Sequence, residues 1–212
     1  MTRRATEIEV KPLTPGRWKD FETLFGPRGA YGGCWCMYWR LTRREFEAGQ
    51  GERNRRAMKR LVESGEVPGM LAYAGGEPVG WCSVAPRERF QSLERSSVLK
   101  RLDSRPVWSI VCFFIARGHR GKGIAEELIH GAVRYAAKRG AAMVEAYPTC
   151  PRGRELAPVS SYMGVPAIFE RAGFSEVARP SRAKAIMRLE LGRGDVAHEA
   201  RRCKPRRSRV TR

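Results

Sequence analysis

The stretch that most constrains this chain is Val107–Ala116, VWSIVCFFIA, followed at once by RGHRGKGIAEELI. Ten residues with no charge and no turn former read as a strand buried on both faces. Gly118, Gly121 and Gly123, interleaved with Arg117, Arg120 and Lys122, then mark a basic turn. From Gly123 onward Ile124, Leu128, Ala132, Val133 and Ala136 recur with helical period. Gly140 ends that helix, with Lys138 and Arg139 in its last turn, where cations suit the dipole. AAMVEAYP supplies the next strand, so the unit is strand–helix–strand and its two strands are parallel. The fold class is α/β.

The remaining elements follow from local signals. Ile8–Pro12 reads as a short strand, and Thr14-Pro15 as a helix start. GPRGAYGGCWCMYWRL is a glycine- and aromatic-rich loop. Thr42 and Glu45 match a capping box, and Glu52–Glu63 reads as a helix. That helix buries Ala57, Met58, Leu61 and Val62 and exposes Arg53, Arg55, Arg56, Lys59 and Arg60. GGEP between two apolar runs is a hairpin. Residues 87–105 carry Phe90, Leu93, Val98 and Leu99 at helix-like spacing and read as a covering helix or lid. Pro166–Ala172 is a short helix, and AKAIMRLEL is the last strand.

A length of 212 residues supports one substantial core plus a tail. No apolar run approaches the ~18 residues of a membrane span. MTRRATEIEV has no apolar targeting core, so a cytoplasmic location is expected. Cys82 and Cys112 lie inside apolar runs, which favours reduced thiols over disulfides. The net charge is +19, of which residues 193–212 supply +6, from eight basic and two acidic residues. Such basicity fits an RNA or tRNA partner or an acidic substrate, and equally a merely soluble surface.

The glycine turn is not a nucleotide P-loop, because Gly123 follows Lys122 where Ser or Thr must bind magnesium. It is not a dinucleotide fingerprint either, since Glu126 stands in place of the third glycine. What remains is a helix N-terminus with free N–H groups, two glycines that permit close approach, and Arg120 and Lys122 beside it. That combination suits a pyrophosphate; an ordinary packed turn is the bland alternative.

RGKGIA, Arg120–Ala125, resembles the Q/R-x-x-G-x-G/A signature of the GNAT superfamily, and AIFERAGFSEV, Ala167–Val177, is similar to that family's late YEKxGF segment. The resemblance covers roughly residues 7–191. It implies a GNAT acyl-CoA N-acyltransferase fold: a central mixed sheet flanked by helices, with splayed parallel strands forming the CoA cleft. The domain would span 1–192, with 193–212 a basic, disordered tail. It also implies transfer of an acetyl group from acetyl-CoA to a small-molecule or peptide amine, without a metal. An aminoacyl-tRNA donor, an RNA-bound target and a non-catalytic CoA-binding module are the alternatives.

By the same resemblance Arg120, Gly121, Lys122, Gly123, Ile124 and Ala125 hold the pyrophosphate. Phe114, Ile115 and Arg117 offer main-chain groups to the pantetheine, between 113–117 and 142–147. Phe169 stands where many members carry a tyrosine acid, and is counted with the CoA-binding residues. Tyr162 is the candidate acid in its place, or an aromatic wall. Glu145 and Glu88 are the candidate bases, each also readable as a structural or surface carboxylate. In the GGCWCMYW loop, Trp35, Tyr38 and Trp39 are read as an aromatic floor for the acceptor, or as a hydrophobic plug. Cys34 and Cys36 lack zinc-ligand spacing, as do His119, His130 and His198.

Overall fold

A computed structural model describes residues 7–151 and 161–192. In chain order the elements are β1 (Ile8–Pro12), a single 3-10 turn at Pro15–Arg17, α1 (Trp18–Phe25), α2 (Arg43–Gly49), α3 (Glu52–Glu63), β2 (Gly69–Ala74), β3 (Glu77–Pro86), α4 (Gln91–Glu94), β4 (Trp108–Ile115), α5 (Ile124–Lys138), β5 (Met143–Ala146), α6 (Pro166–Arg171), β6 (Ser175–Ser181) and β7 (Lys184–Glu190). The strands form one open sheet of seven in the order β1-β2-β3-β4-β5-β7-β6. Among the described strands only β4 and β5 pair in parallel. α5 is the crossover that makes this possible.

α5 covers one face of the sheet. Its Ile124, Leu128, Ile129, Ala132 and Ala136 pack on strand residues that include Met70, Cys82, Ile110 and Val144. The helix can lie this close because Gly131 faces β1: a Cβ there would sit 2.3 Å from Val10 Cγ1. On the opposite face, α1, α3 and the loop after α1 bury Phe21, Phe25, Trp35, Met58 and Val62 on Leu71 and Trp81. The capping box of α2 forms as the sequence implies, with Thr42 and Glu45 bonding reciprocally.

Two elements depart from expectation. β6 has no sequence signal of its own: it is an edge strand, exposed on both faces and carrying Pro180, so it shows no apolar alternation. Residues 87–105 are not a helical lid. They form a 3-10 turn at Arg87–Arg89, the one-turn α4 and irregular chain, with Phe90, Leu93 and Leu99 buried but Val98 exposed. The expected tail, 193–212, lies outside the described residues.

Candidate active site

The site begins with an irregularity in β4. Cys112 pairs with Ser83 and Ile110 with Val84, which leaves Val111 as an extra residue without a partner. Such a bulge bends the strand. Accordingly, β4 pairs with β5 only at Trp108–Val144, Ser109–Glu145 and Ile110–Ala146. Beyond Ile110 the two parallel strands part.

The register decides which main-chain groups face that gap. Ala116 N–H donates to Val79 O at 2.9 Å. Counting back by twos, Phe114 turns its main chain toward β3, while Phe113 and Ile115 turn theirs toward the gap. Phe113 N–H indeed donates to Tyr162 O at 2.6 Å, and Ile115 O accepts from Arg120 Nε at 3.1 Å. Of the expected main-chain contacts, then, Ile115 faces the gap and Phe114 does not. The Phe114 ring packs on Phe25 on the far side of the sheet.

Past Ile115 the chain makes a 3-10 turn at Arg117–His119 and enters α5 through Gly121 and Gly123. Both glycines have left-handed φ, +72° and +78°, with open space where a Cβ would stand. The turn thus needs glycine for its conformation, and it leaves room above the helix start. Arg117, Arg120 and Lys122 are exposed there. Ile124 buries its side chain in the core, so only its backbone belongs to the cradle, as does that of half-buried Ala125. Glu126, in the same helical turn, is held aside by Arg171 at 2.8 Å.

The aromatic loop divides in two. Trp35 and Cys36 adopt left-handed φ, +43° and +57°, which folds this segment inward. Trp35 is 5% exposed and packs on Phe25 and Phe21, so it is a plug and not an acceptor floor. The Cys36 Sγ accepts from Trp81 Nε1 at 2.7 Å, and the Cys112 thiol is pushed up by a hydrogen bond to Cys36 and by burial. Tyr38, by contrast, is exposed, and its ring lies 5.2 Å from Trp39 and 6.1 Å from Tyr162. These three aromatics form one wall beside the strand gap.

Tyr162 is the candidate acid that the structure brings to the gap. Its phenol is pushed above the ordinary range, chiefly by burial and then by Tyr38 and Cys112, so it stays protonated. Trp39 Nε1 is close enough to lower it slightly, yet that buried N–H makes no hydrogen bond. Phe169 is fully buried behind Phe113, ring to ring at 6.0 Å, and serves the core instead of the cleft.

Neither candidate base reaches the gap as a free carboxylate. Glu145 is 1% exposed and locked: Arg87 donates to Oε1 at 3.0 Å, Arg188 to Oε2 at 2.6 Å, and the Tyr147 hydroxyl to Oε1 at 2.5 Å. Arg87, itself fully buried, also reaches Glu94 and the carbonyl of Leu99, while Arg188 reaches Asp103. This network pins residues 87–105 to β5 and β7. Glu88 is exposed, 3.9 Å from Arg101.

One residue at the gap carried no signal beyond its place in the last strand. Lys184 opens β7 with its Nζ 2.9 Å from Thr149 Oγ1, 3.2 Å from Met163 Sδ and 6.0 Å from the centre of the Tyr162 ring. Burial pushes its pKa from 10.5 down to about 8, opposed only by the Cys150 thiol. The unfolded chain therefore holds this proton more tightly between pH 8 and 10.5, and stability contributed by Lys184 rises with pH across that window. Thermal melts of wild type against Lys184→Met should show the wild type gaining on the variant between pH 7 and pH 10.5. A pH-independent difference would contradict the assignment.

Among the described residues no group of three or more His, Cys, Asp or Glu is placed to hold a metal, and no helix is long and apolar enough to cross a membrane. The basic face of α3 is largely neutralised: Arg55 pairs with Glu22 and Glu52, Arg56 with Glu52, and Lys59 with Glu63.

The sequence profile of the acetyltransferase (GNAT) family matches residues 35–152. A search of curated proteins returns no match. Among solved structures, a GNAT-family acetyltransferase from Listeria monocytogenes is 13% identical, with 90% of this chain and 99% of that one covered and a TM-score of 0.52. One from Streptococcus agalactiae is also 13% identical, covering 88% and 96% at a TM-score of 0.52. An agmatine N-acetyltransferase is 12% identical, covering 87% and 99% at a TM-score of 0.53. These likenesses establish the shared fold, and the profile, which spans more than half the sequence, establishes the kinship. This chain therefore belongs to the GNAT family of acetyltransferases.

Proposed function

We propose that the protein transfers an acetyl group from acetyl-CoA to a primary amine held against the Tyr38, Trp39 and Tyr162 wall. The observation that carries this reading is the edge of β4 that β5 leaves uncovered beyond Ile110, beside the glycine turn of α5. The backbone of Gly121, Lys122, Gly123, Ile124 and Ala125, with Arg117 and Arg120 alongside, binds the donor's pyrophosphate. Ile115 main-chain groups bond its pantetheine arm as a neighbouring strand would. The donor supplies the thioester that is cleaved.

The chain's own residues then do three things. The aromatic wall excludes water and orients the amine, whose proton leaves to solvent, since no free carboxylate is placed at the gap among the described residues. Phe113 N–H is engaged by Tyr162 O, so the 161–164 segment shifts if that donor is to serve the oxyanion. Tyr162 donates a hydrogen bond to the departing sulfur. A phenol raised above its usual ~10 cannot surrender its proton fully to a thiolate of pKa ~8.5, so it stabilises by donation. Tyr162→Phe should accordingly lower kcat by about 10- to 100-fold with the KM for acetyl-CoA little changed. An unchanged kcat would make Tyr162 a wall only. Mass spectrometry of acetyl-CoA incubated with a panel of primary amines tests the reaction itself. A protein that binds acetyl-CoA but acetylates none of them would instead support a CoA-binding module.

A further inference from the structure

The acceptor side of the gap is lined by hydrogen-bond donors and holds no acid among the described residues. Among the described residues Lys184 Nζ touches only neutral groups: Thr149 Oγ1 at 2.9 Å, Met163 Sδ at 3.2 Å and the Tyr147 carbonyl at 3.5 Å. Glu145, the buried acid of the sheet, has both of its oxygens already taken by Arg87 and Arg188.

 

Two further donors belong to the adjoining aromatic cluster. The Trp39 Nε1–H is buried without a hydrogen-bond partner, and the Tyr162 hydroxyl is held protonated beside it. The rings tie the three together: Tyr38 lies 5.2 Å from Trp39 and 6.1 Å from Tyr162, and Lys184 Nζ lies 6.0 Å from Tyr162. Tyr38, being exposed, opens the cluster to solvent. A partly buried ammonium facing only neutral acceptors is completed by an anion. A diamine acceptor would place a second cation against it, at a cost.

We infer that the acceptor is an amine that also carries a carboxylate, of amino-acid type, and that Lys184 is the residue that binds this carboxylate. The inference rests on the proposed acetyl transfer and names the substrate class of that same site. The aromatic wall of Tyr38, Trp39 and Tyr162 would then take the apolar part of the acceptor, with the amine directed to the gap between β4 and β5.

The test compares each acceptor with its own amide: phenylalanine with phenylalaninamide, methionine with methioninamide, and glycine with glycinamide, using thiol release from acetyl-CoA. The acid of at least one pair should exceed its amide by tenfold or more in kcat/KM, with putrescine slower than either. In Lys184→Met that ratio should collapse to within threefold, and Lys184→Arg should keep part of it. A wild-type ratio near one, or a ratio that survives in Lys184→Met, overturns the inference. Calorimetry of the corresponding N-acetyl amino acids and N-acetyl amides, with and without CoA, gives a readout independent of turnover. Equal binding of acid and amide there also overturns it. Failure to bind acetyl-CoA would instead count against the acetyl-transfer reading, while the acid–amide comparison in the free protein still decides the role of Lys184.

Discussion

Glu145→Ala is expected to destabilise the domain by about 3–5 kcal/mol, read as a shift in the midpoint of chemical denaturation. The reason is the company Glu145 keeps. Arg87 is fully buried and Arg188 is 7% exposed, and both donate to this carboxylate. Removing it strips both guanidiniums of their buried counter-ion at the junction of β5, β7 and the 87–105 segment, leaving only the more exposed Glu94 and Asp103 to oppose their charge. Glu145→Gln should also destabilise, because an amide cannot neutralise either cation. Its folded fraction should nonetheless turn over close to the wild-type kcat, since Glu145 is committed to the network and does not act as the base. A stable Glu145→Gln protein without activity would reverse that assignment.

Gly123→Trp is expected to weaken acetyl-CoA binding by at least about 100-fold, roughly 2.7 kcal/mol. Two effects combine. The φ of +78° is strained for any residue with a Cβ, by about 1–2 kcal/mol. The indole would also occupy the open space above the N-terminus of α5. Gly123→Ala separates them: it carries the strain with little of the bulk, so its affinity should fall much less. Equal losses in the two variants would mean that backbone distortion, and not occlusion of a ligand, governs the effect.

The centre of the fold is legible in the sequence because its signals are local. The Val107–Ala116 run, the glycine turn and the amphipathic α5 each declare themselves within about a dozen residues, and so does the Thr42–Glu45 box. β6 is not legible, because a strand exposed on both faces has no apolar period to show. The roles within the aromatic loop are hidden for another reason: left-handed φ at Trp35 and Cys36 reverses the side-chain direction, and composition does not encode that. The buried network lies further out of reach. Arg87 and Arg188 are 58 and 43 positions from Glu145, and only the sheet brings them together. Lys184 could have been noticed as a cation opening the last strand ahead of the apolar run Ala185–Met187, but its neighbours Thr149, Met163 and Tyr162 come from other segments.

The central claim is that the gap between β4 and β5, with the turn into α5, is a site for acetyl-CoA. Titrating acetyl-CoA into the purified protein by calorimetry, at low and moderate salt, tests it most directly. The account predicts one site of micromolar affinity that persists at moderate salt. An absence of binding at both salt concentrations, with the protein folded, would contradict it.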